Sequence, residues 1–379
     1  MNLPIASRAK SVPASRKERG LTLVELMVSM TIGLFIVAIV GSIYISFKRN
    51  FWSTNAITAM DDTARAVFDL MGTSIRQAGF NGCQRMDDTI NGDTRRLGSP
   101  VPWWENVNIP VQAKVIPKTG TDTDFPDAKD GTEVLMLISA DSTNEASVVS
   151  DDPASATITT SVHTFQVTQA LLATSCQINS FFIMTGGTQG TKSTSSTPGT
   201  PGTIQHTATA TAPGNCDTSL GFTCGSTAPP VAATLPAGAS ILPLVATAWY
   251  VAPSGDKGSN ETNKGHSLWQ WSAASPNNPI EQVNGVENLA FEFGVDSDGD
   301  GSIDQWLATT TGIGSDQWAN VLAIRVHLLV STLPDSGAAA VGDNSKVPFN
   351  GGDLSAPAID PRRVYREYSA VFTLRNRMN

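Results

Sequence analysis

From Leu26 to Phe47 the chain carries no charged residue, a run of 22 residues. As a helix rising ~1.5 Å per residue, that run is long enough to cross the hydrocarbon core of a bilayer. One carboxylate, Glu25, stands at its head. Before it come five cations (Arg8, Lys10, Arg16, Lys17, Arg19) and one acid, Glu18. Cations on that side favour a cytoplasmic N-terminus. A secretory signal places its small cleavage residue after the apolar run. Here the small residue, Gly20, precedes it, so a cut after Gly20 removes the basic leader and keeps the helix.

The helical period continues past the apolar run. Ile57, Met60, Ala64, Val67, Met71 and Ile75 form one stripe, with Asp61, Asp62, Arg65, Asp69 and Arg76 largely elsewhere. No proline interrupts the pattern and Gly79 is a natural stop. The spacing predicts one helix over about 21–78, roughly 85–90 Å long. Its first half is apolar all round. Its second half has one apolar face that needs a partner.

The remainder reads as strands. Period-two alternation appears near 133–138, 158–167, 180–184, 246–251 and 267–271. It is clearest in three later stretches. Leu289, Phe291, Phe293 and Val295 share one face; so do Leu322, Ile324, Val326, Leu328 and Val330; so do Tyr368, Ala370, Phe372 and Leu374. Helix first and strands after predict an α+β fold, with a mainly antiparallel sheet packed on the amphipathic half-helix. Residues 185–215 are rich in Ser, Thr, Gly and Pro and read as a mobile loop, with 335–361 a weaker second case. The Trp103-Trp104 pair reads as packing rather than a sticky patch. His327 falls on the polar face of a strand, without a catalytic partner nearby. The domain plan is a leader at 1–20, a membrane half-helix at 21–47, an amphipathic half at 48–78 and a body at 79–379 outside the cytoplasm.

Net charge is −9 although the leader is basic, so the body is more acidic still. Such a body repels phosphate backbones, which excludes general nucleic-acid binding. The four cysteines (Cys83, Cys176, Cys216, Cys224) form no CxxC pair, and His163, His206, His266 and His327 are scattered, so zinc is a poor fit. An even count outside the cytosol suggests two disulfides. Four cysteines allow three connectivities; the favoured one pairs Cys216 with Cys224, which closes a short loop, and then Cys83 with Cys176.

In VDSDGDGSIDQW, Asp296, Asp298, Asp300 and Asp304 follow DxDxDxxxD, with Gly299 and Gly301 allowing tight turns. Hard oxygen ligands in a flexible loop suit Ca²⁺, with Ser302 at the position where an EF-hand offers a backbone carbonyl. The twelfth position is Leu307 rather than a bidentate Glu, and the flanks read as strand, so the loop lacks its last ligand.

The run Gly20-Leu21-Thr22-Leu23-Val24-Glu25 resembles the class III signal of type IV prepilins, with Leu21 where Phe is usual. The resemblance implies cleavage after Gly20 by a prepilin peptidase, N-methylation of Leu21, and a docking role for Glu25. Neutralising the α-amine of a neighbouring subunit would make that acid a register device. Residues 75–83, Val286-Glu287-Asn288-Leu289 through Gly294-Val295, the Asp loop, 318–330 and Leu374-Arg375-Asn376-Arg377 resemble the PilW-type minor pilins. That likeness implies an inner-membrane subunit, exposed to the periplasm and then carried to the surface in a pilus. It would prime assembly with other minor pilins and the major pilin, stay near the tip, and meet a PilY-family tip adhesin. It would support twitching motility and adhesion. A minor pseudopilin of a type II secretion system and a pilus-borne adhesin module are the alternatives. No nucleophile–base pair, phosphate loop or metal triad suggests an enzyme.

Overall fold

The computed structural model describes residues 22–82, 92–118, 122–175, 178–194, 197–227, 229, 233–255, 265–314, 317–332, 346–355 and 363–376. One helix, α1, runs from Leu23 to Gln77. The chain divides into a unit ending at Thr54 and a unit from Asn55 onward.

In the second unit α1 buries Ala56, Met60, Ala64, Val67, Met71 and Ile75. The expected stripe holds except at its start, where Ala56 is buried and Ile57 is 40% exposed. Both positions suit the spacing, since Met60 is four residues from one and three from the other, and the small Ala takes the inward place. The stripe packs on a four-stranded antiparallel sheet of Gln305–Ala308, Val286–Val295, Val321–Ser331 and Tyr365–Thr373, in that order. Leu289, Phe291, Phe293, Ile324, Val326 and Leu328 meet the helix in one core. Each fully buried side chain of this size stabilises by about 1.5–3 kcal/mol. A bulge opposite Gly294/Val295 shifts the pairing from Ala323 to Val321. Val321 therefore joins this core in place of the expected Leu322. Gly72 supplies a close approach: a Cβ there would lie 2.5 Å from the Phe372 ring. Tyr368 Oη also donates to Asp61 Oδ1 at 2.5 Å, tying the sheet's edge strand to the helix.

A 12-stranded sheet is organised by the long strand Ser240–Pro253. Its first residues pair with Ala170–Thr174 and Ala146–Asp152, and its later ones with Glu133–Ala140 and His266–Ser272. Glu133 links this sheet to the smaller one, its Oε2 accepting the Phe291 N–H at 2.8 Å. Trp103 and Trp104 pack with Trp271, their ring centroids 5.1 and 5.3 Å from it, as expected for packing residues.

Residues 185–215 are not a structureless loop. They hold Gly186–Thr188, Gly202–Gln205 and Gly214–Asn215, and the first two extend the large sheet beyond Thr157–Thr160. Thr is a good strand residue, so low complexity here does not mean lack of strands. Cross-strand hydroxyls pair Thr188 with Thr203 at 3.1 Å and Thr191 with Thr200 at 3.0 Å. Within 335–361 the described residues form the hairpin Lys346–Phe349/Gly352–Ser355. Its Val347 and Phe349 cover Ala290 and Leu329 on the sheet face away from α1.

Candidate functional site

Three features bear on function: the head of α1, the Asp loop, and the polar groups that hold the body together. Gly20 and Leu21, the expected cleavage and methylation residues, lie outside the described residues, as do Cys83 and Cys176.

At the head of α1, Thr22 Oγ1 accepts the Glu25 N–H at 3.2 Å. Leu23 opens the helix, so Thr22 is its N-cap and Glu25 its third residue, the spacing of a capping box. This signal stands in the sequence as T-x-x-E before an apolar run. Glu25 and every residue from Leu23 to Asn55 are exposed. Leu34, Phe35 and Phe47 are 69–75% exposed. Ser29, Thr31 and Ser42 donate their hydroxyls to carbonyls of the preceding turn. No hydroxyl of these three therefore reaches lipid without a partner. The helix is long and apolar enough to cross a membrane.

The Asp loop is a hairpin connection, closed by the Val295–Gln305 pair. Strands flank it, as expected. Gly299 and Gly301 take φ of 80° and 85°, the left-handed region that the turn requires. One carboxylate oxygen from each of Asp296, Asp298 and Asp304 lies within 4.8 Å of the others. Asp296 accepts N–H groups of Gly299 at 2.6 Å and Gly301 at 2.9 Å. The Gly301 bond is the main cause that lowers its pKa. Ser297 N–H reaches Asp304 Oδ2 at 2.7 Å. Asp300 is not in the cluster; its carboxylate accepts the Ser302 N–H at 2.7 Å. Three clustered carboxylate oxygens on backbone-braced side chains fit a hard divalent cation.

The favoured bridge of the two, Cys216–Cys224, is formed. It closes a loop whose Leu220 enters the core of the Thr-rich lobe.

Two residues that the strand reading left without roles carry the body's polar connections. Glu287 is 4% exposed at the start of strand Val286–Val295. Its carboxylate accepts from His266 Nδ1 at 2.6 Å, Arg363 at 2.9 Å, Ser331 Oγ at 3.0 Å and Lys129 Nζ at 3.2 Å. Burial pushes its pKa up. The His266 bond and the charges of Lys129, His266 and Arg363 outweigh burial and hold it at about 2. Asn376 closes the other end of α1, its amide nitrogen lying 3.3 Å from the carbonyls of Arg76, Gln77 and Ala78. Those carbonyls would otherwise lack intrahelical partners.

Comparison with known proteins bears on both ends of the chain. A family profile described as "Type IV Pilus-assembly protein W" matches residues 256–376, and one described as "Prokaryotic N-terminal methylation motif" matches 15–41. No curated protein matches. Among solved structures, a type IV-like pilin from Thermus thermophilus is similar at 14% identity and a TM-score of 0.22, over 56% of this chain and 86% of that one. An apolar helix that opens on a prepilin motif anchors such a chain in the inner membrane before a pilus takes it up. Pilins are structural subunits, processed by prepilin peptidase and packed against other pilus components. With the methylation motif at the head of α1 and the pilus-assembly pattern spanning Glu287 and Asn376, the two matches together support a PilW-type type IV pilin.

Proposed function

We propose that this pilin is a minor subunit that primes filament assembly and remains in a tip-associated complex with other minor pilins. In this reading prepilin peptidase cuts after Gly20 and Leu21 is N-methylated. The Glu25 carboxylate then neutralises the terminal amine of a neighbouring subunit. The observation that supports it is the exposed apolar half of α1, bearing one acid at its head. A lone carboxylate at membrane depth is costly unless it is paired. A PilY-family tip adhesin is the proposed partner beyond the pilins, and twitching and adhesion are the proposed outputs. Deleting the gene should remove surface pili and twitching while leaving exoprotein secretion intact. Loss of secretion with normal piliation would instead assign the chain to a type II secretion pseudopilin.

We also propose that the Asp loop binds Ca²⁺ through Asp296, Asp298 and Asp304, with Asp300 and the Ser302 carbonyl completing the set. The ion would bridge carboxylates that the backbone N–H groups only partly offset, and so brace the hairpin. Millimolar Ca²⁺ should raise the melting temperature of the full chain in detergent by a few degrees. At 100 times the dissociation constant, binding contributes about 2.7 kcal/mol. Asp298→Ala with Asp300→Ala should remove the rise. Calorimetry that shows no shift for the parent chain would rule the site out.

A further inference from the structure

The lobe built on Ala146–Asp152, Thr157–Thr160, Gly186–Thr188 and Gly202–Gln205 encloses two imidazoles in an apolar core. Val148, Ile158, Phe165, Phe182, Ile204 and Leu235 belong to that core. His206 is 1% exposed and its ring centroid lies 5.5 Å from that of Phe182. Neither of its ring nitrogens has a hydrogen-bond partner among the described residues. His163 is 5% exposed and stacks on Phe165 at 4.8 Å. Its Nδ1 accepts the Phe165 N–H at 3.2 Å, while Nε2 has no hydrogen-bond partner among the described residues. Its ring presses on Gly202, where an added Cβ would lie 2.7 Å from Cδ2. A neutral ring tolerates such surroundings; a buried imidazolium without an acceptor does not.

We infer that this lobe is an acid-sensitive element: it is closed while both imidazoles are neutral, and it opens as a unit on acidification while the α1–sheet core stays folded. The charged side chains on the packed elements are Glu145, Asp151, Asp152, Lys192 and Asp217. Among the described residues none of them bonds to either ring. Asp151 acts in the opposite sense. Burial raises its pKa, so its protonation favours the closed lobe as pH falls. Burial lowers both histidines, His206 to about 4, and for His163 it outweighs backbone groups of Thr203 and Thr188 that act in the opposite sense. A lowered pKa means the closed form holds fewer protons. Its stability is therefore complete above 6.5 and is lost as pH falls from 6.5 towards 4. From His206 alone, the opening equilibrium at pH 5.0 should exceed that at pH 7.5 by about 30-fold. His163 adds to it in the same direction. Local opening of this kind is read directly by amide exchange.

The test is hydrogen exchange of the full chain in detergent micelles at about pH 7.5 and about pH 5.0, corrected for intrinsic exchange rates. Peptides over 157–160 and 202–205 should lose about 30-fold or more of their protection at the lower pH. Peptides over 286–295 and 321–331 should keep theirs. His206→Phe should keep most of that protection at the lower pH, losing only the share that His163 contributes. Unchanged protection in the parent chain, loss over the whole chain together, or an equal loss in His206→Phe would overturn the inference. If His206→Phe lacks protection even at the higher pH, NMR titration of the parent's imidazole carbons decides. A His206 pKa at or above the ordinary histidine value overturns the inference, and one below about 5 supports it.

Discussion

Glu25→Ala leaves the chain folded and membrane-inserted but removes it from sheared pili. The expectation rests on what the carboxylate does and does not touch. Thr22 caps the backbone N–H of residue 25, a bond that alanine keeps. The side chain is exposed, so its loss breaks no packing within the chain. In an assembled filament the same carboxylate would lie among apolar helices, paired with a terminal amine. Removing one partner of a buried pair costs about 3–5 kcal/mol, on the order of a hundredfold or more in incorporation. Glu25→Gln keeps the shape without the charge and should fail as well. Immunoblots of membrane and sheared-pilus fractions read both outcomes. Incorporation of Glu25→Ala at the parental level would end the docking role.

Glu287→Ala should cost the body about 3–5 kcal/mol, because Lys129 and Arg363 would stay buried without their shared carboxylate. For a body of this size that is a drop of roughly 5–10 °C in melting temperature. The acid dependence follows from the depressed pKa. A carboxyl held at about 2 instead of 4.5 contributes stability that is complete above 4.5 and is lost as pH falls towards 2. Burial pulls the Lys129 pKa down, so the pair's net contribution is smaller than the Glu287 shift alone implies. The parent chain should therefore weaken below pH 4.5, and Glu287→Ala should show little further loss there. Melting curves across that range check it, and a variant with the parent's stability and acid profile would contradict it. The window lies below that of His206, so the Thr-rich lobe should give way before the helix–sheet core.

Periodicity exposed the frame of the fold and hid its joints. The helical stripe and the three late strands could be read because one face of each is buried and the other is not. The limits came where tertiary contact decides between equivalent spacings. Ala56 and Ile57 both suit the helical period, and only the sheet chooses. The bulge that substitutes Val321 for Leu322 has no local signature. Gly72 looks like a weak point in a helix until Phe372, 300 residues later, is seen lying against it. In the Thr-rich segment low complexity hides the structure, because its threonines pair across strands. For the site, Glu25 and the carboxylate loop stand out as short motifs. Glu287 and Asn376 belonged to recognised patterns, but their partners lie far off in sequence, so their roles emerge only in the fold.

The most direct test of the central claim is the intact mass and N-terminal sequence of the chain recovered from a sheared pilus fraction. The account predicts a polypeptide that begins at Leu21 and carries one added methyl group. A recovered chain that still holds residues 1–20, or one never found in that fraction when other pilins are, would contradict it.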